Sequence, residues 1–267
     1  MKSTIPLTTP VLSASLTQGK IKLTWDAVDG ASKYWIYRST DGKTFAYYDA
    51  TSKTTYTNSS VNSGTQYYYK VKAVKNVNGT NWVSDLSAGK AVKVLQAPVL
   101  SLSKSAGKIK LSWNAVDGAA KYWIYRSTDG KTFAYYDATS KTSYINSSVN
   151  SGIKYYYKVK AVDHNGGTGL DSATKSTIAL STPSVSAKLE SGKVKLKWNS
   201  VTGASKYWIY RSTDGKTFTY YDATSKTTYT NSSVNSGTRY YYKVKAVKNV
   251  NGTNWVSDAS GVVSVKK

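Results

Sequence analysis

The stretch KYWIYRSTDGKTF runs from Lys33 to Phe45, again from Lys121 to Phe133, and again from Lys206 to Phe218, without a single change. It opens on four aromatic or aliphatic residues in succession, whereas a strand with one face in water should alternate apolar and polar positions. If Tyr34 and Ile36 point into a core, then Trp35 and Tyr37 stand where polar residues belong. The aromatic residues therefore form either a second, outward-packing layer or a surface that takes a ligand.

The rest of the chain repeats around this segment. Trp25, Trp113 and Trp198 stand 88 and then 85 residues apart, and Pro10, Pro98 and Pro183 keep the same spacing. Lys33–Asp85 and Lys206–Asp258 differ only at Ala46/Thr219 and Gln66/Arg239. The middle copy departs late, where VKNVNGTNWVSD becomes VDHNGGTGLDSA. A repeat of this length marks an array of small units, expected over residues 1–97, 98–182 and 183–267. The joints Val94–Pro98 and Leu180–Pro183 carry no Gly/Ser-rich run, so an elongated array with short, stiff connections is expected.

Within one copy the periodicity is that of strands. Ile21, Leu23 and Trp25 alternate with Lys20, Lys22 and Thr24. Asp29-Gly30 leads into Tyr34–Arg38, and Asp41-Gly42 reads as a primed two-residue hairpin into Thr44–Asp49. Further strands are expected at Thr54–Asn58, Tyr67–Val74 and Gly89–Val94, and no segment has helical periodicity. About seven short strands in one copy is the number for a two-sheet sandwich.

The order of Pro10, then IKLTW ending at Trp25, YWIYRS, and SVNSGTQYYYKVKAV resembles the fibronectin type III module, in the variety found in bacterial surface proteins and secreted polysaccharide-degrading enzymes. The resemblance covers nearly the whole chain. It implies an all-β chain of three tandem immunoglobulin-like, seven-stranded sandwiches. It also implies that Trp25, Trp113 and Trp198 are core residues and that Tyr67, Tyr155 and Tyr240 form the tyrosine corner, whose hydroxyl ties back to upstream backbone. At about 3.3 Å per strand residue, three modules in line reach about 90 Å.

Composition narrows the function. The balance of 37 Lys+Arg against 14 Asp+Glu, a net charge of +23, attracts polyanions in a salt-sensitive way. With only four Arg and no nucleic-acid-binding motif, specific nucleic acid recognition is not expected. The third copy is the most basic, with 14 basic against 4 acidic residues, and Lys193, Lys195 and Lys197 share the outward face of one strand. Catalysis has no constellation to work with. His164 stands alone in the polar loop DHNGG, there is no cysteine, and the acidic residues sit at Asp-Gly turns. No metal-ligand spacing and no cofactor motif occur, and no run reaches a membrane span. MKSTIPLTTP lacks the apolar core of a signal peptide, so a fragment of a longer extracellular or cell-surface protein is expected.

The candidate site is the outward face of the aromatic strand and of the strand beside it. It comprises Trp35, Tyr37, Tyr68, Lys70 and Lys72, repeated as Trp123, Tyr125, Tyr156, Lys158 and Lys160 and as Trp208, Tyr210, Tyr241, Lys243 and Lys245, with Tyr47 or Tyr48 adding from the next strand. Flat rings stack on sugar faces and ammonium groups pair with phosphate or carboxylate, so the expected partner is a polysaccharide or anionic cell-wall polymer, engaged with avidity by a monomeric array. Another surface protein is an alternative partner. The competing reading is structural, in which lysine stems lie across the rings and stiffen the sheet. Trp82 and Trp255, read as lying in the loop between the last two strands, form a second candidate contact. Arg38 reads as an edge-strand charge, and the sequon-like Asn58-Ser59-Ser60 and Asn78-Gly79-Thr80 read as turns.

Overall fold

The computed structural model describes residues 6–105 and 107–267, and they form six antiparallel sheets in three repeated pairs. In the first copy, β1 (Leu12–Thr17), β2 (Lys20–Trp25) and β5 (Thr55–Asn58) make one sheet in the order β1-β2-β5. The facing sheet runs β4 (Ala46–Thr51), β3 (Lys33–Ser39), β6 (Gln66–Val77), β7 (Thr80–Val83), and β8 (Lys90–Lys93) pairs with the other half of β6. The second copy repeats this from β9 (Ser101–Ser105) to β16 (Lys175–Ile178), and the third from β17 (Val185–Glu190) to β24 (Val263–Lys266). Three tandem two-sheet β-sandwiches result.

Strand alternation builds each core. Ile21, Leu23 and Trp25 from one sheet meet Tyr34, Ile36, Tyr69, Val71 and Ala73 from the other, all buried, while the residues between them point outward. Each large apolar side chain placed there contributes roughly 1.5–3 kcal/mol. Trp25 meets Tyr34 edge-on at 5.3 Å, and the Tyr34 hydroxyl accepts from the Val28 backbone N–H at 2.9 Å. The Tyr67 hydroxyl accepts from the Asn62 N–H at 2.9 Å, which is the tie-back that the family resemblance implies. Tyr155 and Tyr240 do the same for Asn150 and Asn235.

The last strand of each sandwich is broken in two, so the first copy has eight segments for seven strands. Between β7 and β8 in the first copy, the Ser84 and Ser87 hydroxyls accept from the Ala73 and Val71 N–H groups at 2.9 and 3.0 Å, standing in for backbone carbonyls in the ladder. The Asp41-Gly42 turn also differs from expectation. Only Gly42 has positive φ (74°), and residues 40–45 form a longer loop. A type I′ turn on Asp41-Gly42 would need positive φ at both residues, and a type II′ turn would need it at Asp41. Here the Asp41 carboxylate instead accepts from the Lys43 and Thr44 N–H groups at 2.8 and 2.9 Å and from the Ser39 hydroxyl at 2.6 Å. Asn78-Gly79 does make a primed turn, with φ of 48° and 83°.

Asn58 is a buried structural residue rather than a surface turn. Its amide donates to the Tyr69 hydroxyl at 2.7 Å, and its carbonyl oxygen accepts from the Tyr48 hydroxyl and the Ser60 N–H, each at 2.9 Å. Burial pushes the Tyr69 hydroxyl up to about 12, so it stays protonated and neutral. Asn146 and Asn231 repeat the arrangement with Tyr157 and Tyr242. Replacing Asn231 by Ala strands two tyrosine hydroxyls, one of them buried. The variant should lower the stability of the third sandwich by roughly 1–3 kcal/mol in urea denaturation; a change within error would show that the network is not holding the sandwich together.

Candidate functional site

The site starts from the register of β3 between its two neighbours. Trp35 pairs with Lys72 and Tyr37 with Lys70 across to β6, and Tyr37 pairs with Tyr47 across to β4. A bulge at this point makes Ile36 pair with Asp49 and leaves Tyr48 over. The bulge sends Tyr47 to the outer face and Tyr48 toward β5, where it meets Tyr56 edge-on at 6.3 Å. Of the two tyrosines the sequence left open, Tyr47 is the one on the face. Its ring stands perpendicular to Trp35 and Tyr37, with centroids at 6.2 and 6.1 Å. It is also the most open ring of the group, 56% exposed, with Tyr135 at 58% and Tyr220 at 56%.

Trp35, Tyr37, Tyr68, Lys70 and Lys72 share this face, as do Trp123, Tyr125, Tyr156, Lys158 and Lys160 in the second sandwich and Trp208, Tyr210, Tyr241, Lys243 and Lys245 in the third. All are half-buried, so the face is neither fully open nor closed. The lysines account for part of the cover. Lys70 Nζ lies 4.5 Å from the Phe45 ring centroid, Lys33 Nζ 5.8 Å from Trp35, and Lys245 Nζ 5.1 Å from Tyr210. Contacts of this kind at exposed sites are worth about 0.5–1 kcal/mol. Tyr68 is covered from the loop side. A Cβ on Gly42 would sit 3.1 Å from its ring, and Gly130 and Gly215 stand in the same way to Tyr156 and Tyr241. Phe45, Phe133 and Phe218 are not among the candidates the sequence offers; Phe45 falls within the expected strand Thr44–Asp49, whereas β4 begins at Ala46 and the ring sits in the preceding loop, under Lys70.

The three faces differ in charge. In the second sandwich Asp171, on β15 (Thr168–Asp171), lies 3.2 Å from Lys160 Nζ and 3.9 Å from Lys158 Nζ. Away from this face, Glu190 joins Lys188 and Lys195 at 2.7 and 2.9 Å, so the basic strip on β18 (Lys193–Trp198) is partly neutralised. Those two ammonium groups hold the Glu190 carboxyl at about 2.

Three further residues are corrected by the structure. Trp82 and Trp255 lie on strands, β7 and β23 (Thr253–Val256), opposite Lys75 and Lys248, rather than in a loop. Each follows the Asn-Gly turn so closely that the strand was read as loop. Arg38 is not on an edge strand, because β3 is paired on both sides. Its guanidinium lies 4.0 Å from the Tyr48 ring centroid and 5.3 Å from Tyr67, and it donates to the Ser60 carbonyl. His164 is exposed beside Asp163 and Asn165 at the mouth of a small cleft. Among the described residues, no group of His, Asp or Glu is gathered for a metal ion.

With the fold and the face defined, similarity to known proteins adds a context. No family model matches the chain. It is 42% identical over 62 residues to the amylopullulanase of Thermoanaerobacter thermohydrosulfuricus, covering 22% of this chain and 4% of that protein. It is 26% identical over 245 residues to exoglucanase B of Cellulomonas fimi, covering 79% of this chain and 21% of that enzyme. The chain thus spans a small part of the length of these relatives. Among solved structures, the FN1–FN3 domains of chicken CNTN1 match at 18% identity and a TM-score of 0.29, covering 98% of this chain and 100% of that one.

The loops that frame the aromatic face each hold a carboxylate by hydrogen bonds. Hydrogen bonds from Ser39 and from the Lys43 and Thr44 N–H groups hold the Asp41 carboxyl well below its ordinary value. Asp129 lies at about 2 for the same reason, and Asp214 is lowered likewise. Because the folded pKa lies below the unfolded one, the associated stability is complete above the ordinary carboxylate pKa of 3.8 and is lost as pH falls toward about 2. The melting temperature should therefore drop between about pH 4 and pH 2, and a D41N/D129N/D214N variant should show a shallower drop. Equal slopes for the two proteins would remove these carboxylates from the account.

Proposed function

We propose that the chain is a non-catalytic, extracellular or cell-surface segment that spaces and tethers a polysaccharide-acting protein, and that each sandwich contacts polysaccharide or anionic cell-wall polymer through its aromatic–lysine sheet face. The proposed units are residues 1–97, 98–182 and 183–267. One observation carries the reading: an exposed tyrosine ring, held perpendicular between a Trp and a second Tyr and bordered by Lys, is repeated three times on the same outer face. An open ring offers a flat apolar surface to a sugar, and neighbouring ammonium groups offer pairing to acidic substituents. The partial similarity to an amylopullulanase and an exoglucanase favours carbohydrate over a protein partner.

A purely structural role has its own support, because the Trp and Tyr rings already satisfy one another edge to face and the lysine stems cover part of them. The two readings separate experimentally. The whole chain is incubated with insoluble polysaccharides and purified cell walls at low and high salt, beside a Y47A/Y135A/Y220A variant. Retention that survives high salt and falls about tenfold in the variant is the outcome expected for a ring-stacking site. Retention lost in salt for both proteins reduces the interaction to the +23 charge meeting a polyanion, and no retention leaves the stalk.

A further inference from the structure

The first and third sandwiches contain the same hairpin, β6–β7 and β22 (Arg239–Val250) with β23, in nearly identical sequence, yet the two hairpins are buried differently. Trp82, Val83 and Val77 are 50%, 44% and 42% exposed. Their counterparts Trp255, Val256 and Val250 are partly buried, as is Lys248 where Lys75 is exposed. Since the sequence is the same, the difference comes from what the hairpin meets.

The third hairpin meets the second sandwich. Lys104, on β9, donates to the Val256 carbonyl at 3.1 Å and lies 5.7 Å from the Trp255 ring centroid. Lys248 donates to the Gly152 carbonyl at 2.6 Å. The shorter hairpin of the second sandwich docks in the same place on the first. Gly19 donates to the Thr168 carbonyl at 3.0 Å, Gly167 lies against Leu16, and Leu170 packs on the Gly19 turn. Leu16 and Lys104 are the same position in their copies, opposite Ile21 and Ile109 on the neighbouring strand. The third member of that series is Leu189, opposite Val194. Leu16 is 3% exposed under its neighbour's hairpin, whereas Leu189 is 43% exposed.

Among the described residues, one such hairpin, around Lys75 and Trp82, and one such receiving edge, around Leu189, are left exposed. We infer that these are the two halves of a third junction of the kind already made twice within the chain, and that a second copy of this chain docks head to tail through them. Trp82 would lie on Leu189 and Lys75 would reach the Gly237 carbonyl, the counterpart of the Gly152 carbonyl that Lys248 reaches. Such a contact is heterologous: it joins the hairpin of one copy to the receiving edge of another, not one patch to the same patch.

Sedimentation equilibrium tests this from roughly 10 µM to 1 mM, the range of a small contact without a tether. About 0.3 M salt screens repulsion between the copies. The weight-average mass should rise above 29.1 kDa with concentration. Trp82→Ala and Leu189→Asn, both at exposed positions, should each weaken association by about tenfold. The decisive sample is an equimolar mixture of the two variants. Trp82→Ala retains the receiving edge and Leu189→Asn retains the hairpin, so the mixture should recover association but stop at dimers. A wild-type mass that stays flat to the highest concentration would overturn the proposal, and so would variants that associate as strongly as the wild type or a mixture that behaves like either variant alone.

Discussion

The register of β3 against β6 sets everything else on each sandwich. With Tyr34 and Ile36 inward, Trp35 and Tyr37 are forced outward, opposite Lys72 and Lys70, and the aromatic face exists at all. A slip of one residue would exchange the two sets, placing a Trp and a Tyr in the core and an Ile in water. Hydrophobicity alone resists such a slip weakly here, because both faces are aromatic. The discrimination comes from hydroxyl groups. Tyr34 has an acceptor role at the Val28 N–H, and Tyr69 has one at the Asn58 amide, both buried and both reachable only from the inward side. A buried hydroxyl without its partner costs about 1–3 kcal/mol. Arg38, seated between the Tyr48 and Tyr67 rings, adds a further fixed point.

Much of this was legible in the residues. Period-two alternation located the strands of the core, and the threefold recurrence of KYWIYRSTDGKTF indicated that one solution serves the whole chain. What stayed illegible was decided by pairs distant in sequence. Nothing local distinguishes Tyr47 from Tyr48, because their faces are assigned by a bulge against β3. Asn58 has the local signature of a turn, and its burial depends on Tyr69 arriving from another strand. β1 was not located individually, since LSASLT is small and polar enough to pass as loop, and its strand character comes from pairing with β2. The Asp-Gly step was identified as a turn, but its type was set by the Asp41 and Ser39 side chains rather than by the dipeptide.

Nearly identical copies turn the chain into its own control. Where two copies share a sequence and differ in burial or bonding, the difference belongs to the neighbours and not to the sandwich. The Trp82/Trp255 pair is of that kind. The shorter hairpin of the second sandwich is the complementary case, where sequence has changed at a junction: Trp is absent, and Gly167 and Gly169 bring backbone close to Leu16 and Leu95. The Gly152–Gly203 contact belongs with it, since a Cβ on either residue would fall within 2.7 Å of the other's Cα. Junctions in this chain are built from backbone approach and a few specific side chains, and the sequence differences collect there.

That construction bears on how weak surface contacts add. Each joint carries backbone or side-chain hydrogen bonds in addition to the covalent link, among them Gly19 to Thr168 in the first and Ser151 to Thr202 with Lys248 to Gly152 in the second. An ion pair of 2.9 Å between Lys93 and Asp117 spans the first joint as well. Under the proposed polymer-binding role, restraints of this kind reduce the conformational freedom that successive faces must lose on engaging one polymer. A flexible string would forfeit part of every added contact to ordering, whereas restrained modules keep more of it. The same restraint is selective, since modules held in one relation can engage together only those polymers whose own repeat presents groups at matching intervals. In the proposed role, joint geometry would then govern which polymer is held alongside the chemistry of the aromatic face.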